Sequence, residues 1–334
     1  MPRPGLIVAV TGPTGTFGYG LVPLLQSDER IARIVGVARR PFDPAAQGWD
    51  KMDYRQGDVR DPDALADAFA GADVVVHLAF MITGAASRQK IRAINVQGTL
   101  NAFDAAAQAG AKRFVYASSV AAYGFHRDNP VGMTEEWPAR PARRLFYAQE
   151  KAELERLLTE RDTENSGIDL YMVRPPIVLG PHAMGAKTVV PDSLEGAGQA
   201  ARGLLERLPV RVPVAAPDVP MQLIHEDDVG QALRQCVVAA GPPGIYNIAG
   251  DGTVTAKDVV RGLGMLPVPI PGGLVTAGAR ALARIPTPAF APPALEWIEA
   301  ISHPAIMDTA KARRELGWEP KFSALEALQA TLNP

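Results

Sequence analysis

Residues 9–25 read AVTGPTGTFGYGLVPLL. The run starts in apolar, strand-like sequence, ends in apolar sequence of helical spacing, and sets Gly12, Gly15 and Gly18 three apart between the two. Glycine loses more conformational entropy on ordering than any other residue, so its concentration beside a core strand needs a reason. Gly12 allows a tight turn, Gly15 lets the backbone come close to a pyrophosphate, and Gly18 lets the next helix, expected over 17–26, pack closely on the strand. The N-terminus of that helix turns its N–H groups and the positive end of its dipole toward an anion. The stretch therefore predicts a dinucleotide-binding turn made of Gly12, Thr14, Gly15, Thr16, Phe17 and Gly18.

Outward from this turn, apolar runs of strand length recur at 6–10, 33–38, 73–80, 113–119, 169–175 and 244–250. Continuous rather than alternating apolar runs suit strands buried on both faces. Helix-length segments at 61–71, 94–110 and 146–162 lie between them, the first opened by Asp61 as N-cap and Pro62 at the first helical position. Strand alternating with helix predicts an α/β protein with a Rossmann-type, doubly wound parallel sheet. The expected division is a dinucleotide-binding domain over 1–175, completed by segments near 220–250. The Pro- and Gly-rich remainder, 176–334, is then mainly a smaller C-terminal substrate-binding lobe.

The formal net charge of the 334 residues is −2 with both signs interspersed, which leaves no basic patch to neutralise a phosphate backbone and makes nucleic acid a poor partner. A single cysteine, Cys236, excludes an internal disulfide and a cysteine-based metal cluster, and its setting in QALRQCVVAA reads as a small buried thiol. The first ten residues are too short an apolar segment for a signal peptide, and no run is long enough to span a bilayer, so a cytoplasmic location with no membrane partner is expected.

The second strand ends in VGVARRP. Arg39 and Arg40 stand where a dinucleotide fold commonly places an acid for the ribose hydroxyls. Forked guanidiniums suit a 2′-phosphate and favour NADP over NAD, unless one of them stacks on the adenine and the other is solvated. Farther on, YAQEK places Tyr147 and Lys151 four apart, on one helix face. An ammonium beside a phenol favours the phenolate and would bring its pKa down from ~10, which predicts an acid/base for chemistry near neutrality. Upstream, the fifth run ends in Ser118 and Ser119, at the sheet edge where ligands of open α/β folds bind. A hydroxyl there can hold a substrate oxygen beside the phenol.

These motifs, with GDVRD (57–61), VVVHLA (74–79), INVQGT (94–99), YASSVAAYG (116–124), VRPPIVLGP (173–181), LIHEDDVGQAL (223–233), YNIAGDGTVT (246–255) and ELGWEP (315–320), resemble the extended short-chain dehydrogenase/reductases, also called the NAD(P)-dependent epimerase/dehydratase family. The resemblance covers nearly the whole chain. It implies that Asp58 and Val59 contact the adenine, that Leu78 and Ala79 line the cofactor path, and that Asn95 steadies the central helix. Pro175 and Ile177 match the segment against the nicotinamide. Ser119 matches the catalytic hydroxyl more closely than Ser118, which with Asn95 counts among the cofactor-binding residues; Tyr147 matches the acid/base, and Lys151 the group that holds the ribose while lowering the Tyr pKa. A homodimer through a four-helix bundle of 94–110 and 146–162 is a further implication.

The expected activity is interconversion of a ketone or aldehyde with an alcohol, using NADP or, as the alternative, NAD. The competing reading is a nucleotide-sugar epimerase or dehydratase. Met221 and Gln222 stand where the epimerases of this family carry a diphosphate-gripping arginine, which favours the first. The loop AFMITGAAS (79–87), with Phe125, Phe146 and Met184, offers an apolar pocket for the small-molecule substrate, although Phe80 and Met81 equally suit a core position. Arg202, Arg207 and Arg211 could hold an anion. His77 and His225 are too isolated from other ligands in sequence for a metal site.

Overall fold

The computed structural model describes residues 5–82, 87–164, 167–183, 213–262, 265–270 and 303–332. Seven strands form one parallel sheet: β1 (Leu6–Thr11), β2 (Ile31–Ala38), β3 (Met52–Gln56), β4 (Val74–His77), β5 (Arg113–Ala117), β6 (Asp169–Arg174) and, after three strands outside this sheet, β10 (Gly244–Asn247). Their order is β10-β6-β5-β4-β1-β2-β3. The order reverses between β1 and β4, and at the carboxyl ends of these two strands Thr11 is paired in register with His77. Ligands of doubly wound sheets bind in the crevice at such a reversal.

Alternate residues of each strand enter two separate cores. Val8, Val10, Val74, Val76, Val115 and Val173 face Leu21, Val22 and Leu25 of α1 (Thr16–Ser27) and Val229, Leu233 and Val237 of α6 (Glu226–Val237). Ala9, Val35, Val75 and Phe114 face the other way, onto Phe69 of α2 (Pro62–Phe69), Phe103 of α4 (Gly98–Gln108) and Leu154 and Leu158 of α5 (Phe146–Glu164). Asp61 caps α2 as expected, accepting from the N–H groups of Asp63 and Ala64 at 3.1 Å.

Helices α1 and α6 meet backbone to backbone. A methyl group added to Gly20 would lie 2.1 Å from the Glu226 carbonyl oxygen, and one added to Gly230 would lie 2.0 Å from that of Gly20. Asp28, just past α1, reinforces the junction by accepting from Arg234 Nε at 2.8 Å.

Three boundaries differ from the sequence reading. Strand β3 is absent from the apolar runs because MDYRQ has only one fully buried side chain, Met52. The run 73–80 forms a strand only over 74–77, since the Leu78 N–H turns to the Thr11 carbonyl at 3.1 Å and the chain leaves the sheet. The helix expected over 94–110 starts earlier, as α3 (Arg88–Arg92), passes through a π-helical turn at Ala93–Gln97, and continues as α4. Beyond β6, β7 (Ile177–Leu179) pairs with β9 (Leu223–His225), and β8 (Pro213–Pro217) pairs with β11 (Leu266–Ile270). Helices α7 (Ala256–Gly262), α8 (Ala310–Leu316) and α9 (Ala324–Leu332) complete the described chain.

Candidate active site

The glycine turn sits at the end of β1 and opens α1. Gly12 has φ +70° and lies against the Ala79 backbone, where an added methyl would be 3.0 Å from two backbone atoms. Gly18 is needed for packing, because its methyl would come within 2.1 Å of the Pro13 carbonyl oxygen. Gly15 is different: among the described residues the nearest atom to an added methyl is the Gly12 oxygen at 3.5 Å, so here the backbone faces room rather than described protein. Gly15 also caps α1 without a side chain, so no cap group competes with an anion for the first turn. A turn with this open face fits a dinucleotide pyrophosphate. Thr14 and Phe17 are half-buried in it, and Thr16 Oγ1 donates to the His182 carbonyl at 2.9 Å.

At the end of β2, Arg39 and Arg40 are exposed. Their backbone is fixed by β3: Gln56 Nε2 donates to the Arg39 carbonyl at 3.0 Å and the Tyr54 hydroxyl donates to that of Arg40. Asp58 pairs with Arg60 at 2.7 Å, and this hydrogen bond, with Arg39 contributing at longer range, holds its carboxyl below the usual range. Val59 is buried against Gly98. Leu78 and Ala79 follow β4, half-buried, at the turn.

The chemistry-bearing residues lie at the ends of β5 and the start of α5. Ser119 caps a short 3-10 turn (Val120–Tyr123), accepting from the Ala121 N–H at 3.2 Å, and lies close enough to the Tyr147 phenol to favour its ionised form. Lys151 is buried, one helical turn along α5; its Nζ donates to the Ala117 carbonyl at 2.6 Å and to the Tyr116 hydroxyl at 3.2 Å. The Phe80 ring covers that ammonium, with its centroid 3.6 Å from Nζ, and meets Tyr147 edge-on at 5.6 Å. Pro175 is buried and accepts from the Val120 N–H at 2.9 Å, while Ile177 is half exposed.

Two expectations need correction. The first concerns acidification of the phenol by Lys151. Burial raises the Tyr147 pKa to about 12, opposed by the nearby Ser119 hydroxyl, and burial lowers that of Lys151 to about 7. The ammonium is aimed at Ala117 and Tyr116 and lies 5.8 Å from the Tyr147 ring centroid, so loss of water outweighs the attraction between the two. The second concerns Ser118. Its hydroxyl donates to Glu155 Oε1 at 2.5 Å, which leaves Ser119 as the serine beside the phenol.

Glu155 was not singled out by the sequence, and neither was Arg174. Both are almost fully buried and joined by a two-pronged ion pair at 2.5 and 2.8 Å, and the guanidinium lies 4.4 Å above the Tyr123 ring. Burial raises the pKa of Glu150, on the same helix, and its Oε2 accepts from Asn95 Nδ2 at 2.7 Å. Asn95 also grips the chain after β4, accepting from the Met81 N–H at 2.8 Å and donating to its carbonyl at 2.9 Å. A signal for this buried charge existed in the sequence, in acids at 150 and 155 on a face that also carries Leu154 and Leu158.

His77 lies buried between Thr11 and Thr99, and burial lowers its pKa to about 3. His225 caps α6 and stacks on Phe322 at 4.0 Å. Gln222 is buried and exchanges two amide hydrogen bonds with the Met307 backbone, at 2.9 and 3.0 Å, while Met221 bridges to Val254. Phe125 and Phe146 are half-buried, the latter under the Arg88 guanidinium. Met184, Arg202, Arg207, Arg211 and residues 83–86 lie outside the described residues.

The Mycobacterium tuberculosis protein Rv0501, uncharacterized, is 26% identical over 98% of this chain and 83% of its own. Sterol demethylase protein B of Methylococcus capsulatus is 32% identical over 52% of this chain and 51% of its own. Among solved structures, the UDP-glucose 4-epimerase of Thermus thermophilus in complex with NAD superposes with a TM-score of 0.67 at 22% identity, over 98% of each chain. A model of the NAD dependent epimerase/dehydratase family matches residues 8–249. The chain belongs to the NAD dependent epimerase/dehydratase family and is an enzyme of that family.

Proposed function

We propose that the protein is an NAD(P)-dependent oxidoreductase that interconverts an apolar ketone or aldehyde with its alcohol at a site made of Ser119, Tyr147 and Lys151. The observation that carries this reading is the placing of Ser119 beside the Tyr147 phenol at the carboxyl edge of the sheet, with the Lys151 ammonium one turn deeper. A phenol whose pKa is raised by burial keeps its proton at neutral pH, which suits the donor role in carbonyl reduction. Tyr147 Oη would protonate the carbonyl oxygen as it becomes an alcohol, and the Ser119 hydroxyl would hold that oxygen while charge builds on it.

The Gly12–Gly18 turn would hold the pyrophosphate of the dinucleotide, Asp58 and Val59 the adenine, and Leu78, Ala79, Asn95, Lys151, Pro175 and Ile177 the nicotinamide half. Arg39 and Arg40 support NADP through a 2′-phosphate. The nicotinamide would supply or take up the hydride. The region 176–334 would provide most of the substrate lobe.

Apolar substrate chemistry is supported by Phe80 against the phenol, by exposed Ile82 and Ile177, and by a relative named for a sterol. Gln222 and Met221 also support it, since both are committed to main-chain pairing and neither offers a cation to a diphosphate. The second reading, a nucleotide-sugar epimerase or dehydratase, is favoured by the superposition on the Thermus enzyme. A homodimer through α4 and α5 would bury the ion pairs Arg92–Glu153 and Arg161–Asp104, and sedimentation tests it.

The deciding experiment follows the reduced-nicotinamide absorbance with a panel of carbonyl compounds and with UDP- and dTDP-hexoses. Net consumption with a carbonyl supports the first reading; sugar conversion without net change supports the second. Tyr147→Phe should lower turnover at least about a hundredfold with dinucleotide affinity kept, and full activity of that variant would defeat both. Arg39→Asp should weaken NADPH more than NADH, and an equal loss would remove the NADP preference.

A further inference from the structure

The reversal point of the sheet contains a buried hydrogen-bond chain whose proton directions can be assigned. Thr99 Oγ1 lies 2.5 Å from the Asn95 carbonyl, which can only accept, so the single Thr99 hydroxyl proton is spent there. His77 Nε2, 3.0 Å from the same Thr99 oxygen, must then donate to it. A neutral imidazole with Nε2 protonated has an accepting Nδ1, so Thr11 Oγ1, 2.9 Å away, must donate to Nδ1. The Thr11 oxygen in turn accepts from the N–H groups of Leu78 and Ala79 at 3.2 and 3.3 Å. Every member is satisfied and every bond points the same way, from the glycine turn toward α4.

The end of this chain is a mechanically special place. Asn95 lies in the π-helical turn, a wider turn that recurs at functional sites. Its side chain clamps Met81 on one side and Glu150 on the other, and Glu150 is adjacent to Lys151. The start of the chain is Thr11, the residue before Gly12. The imidazole therefore joins the end of β1 to the groups that hold the Phe80–Ile82 segment and α5 in place.

We propose that His77, as the neutral Nε2–H tautomer, is a positioning residue that transmits the placement of the Thr11–Gly12 turn, through Thr99, to Asn95 and so to the residues around Tyr147 and Lys151. The chemistry at Tyr147 rests on the reading above; the His77 assignment does not, and its test requires no turnover.

Protein labelled with 15N-histidine, with His77 identified by loss of its signals in His77→Asn, gives the tautomer from long-range proton–nitrogen correlations. The expected result is a protonated Nε2 and a bare Nδ1, unchanged from about pH 8 to about pH 5. An Nδ1–H tautomer overturns the proposal. Amide hydrogen exchange of Met81 tests the transmission. Thr99→Val should speed it about tenfold or more, while Thr99→Ser, which keeps the hydroxyl, should restore the wild-type rate. Unchanged exchange in Thr99→Val overturns the proposal, as does equal acceleration in both variants. If no dinucleotide binds or no carbonyl is reduced, that failure falls on the proposed function and leaves these two measurements intact.

Discussion

The turn after β1 and the first turns of α5 both lie at the carboxyl edge of the same sheet, yet they are made of opposite materials. The first is backbone: Gly12, Gly15 and Gly18 shape it and it contains no ionisable side chain. The second is buried charge: Lys151, Glu150 and Glu155 on α5, with Arg174 from β6. A backbone turn is fixed by sterics and is insensitive to pH. A buried charge set holds its shape only while each partner is present, because an unpaired charge out of water is costly. The pyrophosphate end of the groove should therefore respond to added atoms, and the reaction end to removed partners and to protons.

The largest effect should come from cutting the buried ion pair. Glu155→Gln or Arg174→Met alone should each cost about 3–5 kcal/mol of unfolding free energy, because the remaining charge stays buried. The double replacement Glu155→Leu with Arg174→Met should recover most of that loss in denaturant titrations. Additive losses would show that the pair acts through shape and not through charge.

Next is the pH dependence carried by Lys151. Its folded pKa of about 7 lies below the ordinary 10.5, so between these values the unfolded chain binds the extra proton. Stability should rise across that window, by an amount on the order of a few kcal/mol before Tyr147 ionisation enters in the unfolded chain. Lys151→Met should flatten the rise. A slope identical in the two proteins would mean that the ammonium is solvated.

Smaller again is the effect of Gly18→Ala. The methyl group meets the Pro13 carbonyl, and overpacking of this kind costs about 1–3 kcal/mol in thermal or chemical unfolding. Gly15→Ala sets the lower end of the scale. Its methyl has room, so stability should change by less than about 0.5 kcal/mol. Dinucleotide affinity should nevertheless fall at least about tenfold, measured by titration of NADH and NADPH. Comparable stability losses in the two variants would erase the distinction between a packing glycine and a ligand glycine.

The same division explains what could be read from the sequence. The glycine turn, the alternation of strands and helices, and the Tyr147/Lys151 spacing are local properties, visible in single windows of residues. The parallel sheet followed from them, while the reversal between β1 and β4 came only with the strand order. Strand β3 was hidden because an edge strand buries little, and its residues MDYRQ look like a loop. The raised pKa of Tyr147 was misread because the spacing to Lys151 reports proximity along a helix and says nothing of how dry the site is or where Nζ points. Ser118 was assigned to the groove since two adjacent serines are indistinguishable until Glu155, 37 residues away, takes one of them. Arg174 was missed for the same reason, and so was the main-chain pairing of Gln222, each being defined by a partner distant in the chain.

The glycine contact between α1 and α6 joins segments separated by about two hundred positions. On the ribosome, the apolar side chains Leu21, Val22 and Leu25 emerge long before Val229 and Leu233 exist to cover them. The nascent chain must carry an uncovered sheet face through most of its synthesis, the kind of exposure that invites association and chaperone capture. Substitutions at Gly20 or Gly230 would lengthen that exposure, so their first symptom in a cell would be a shortage of recoverable protein.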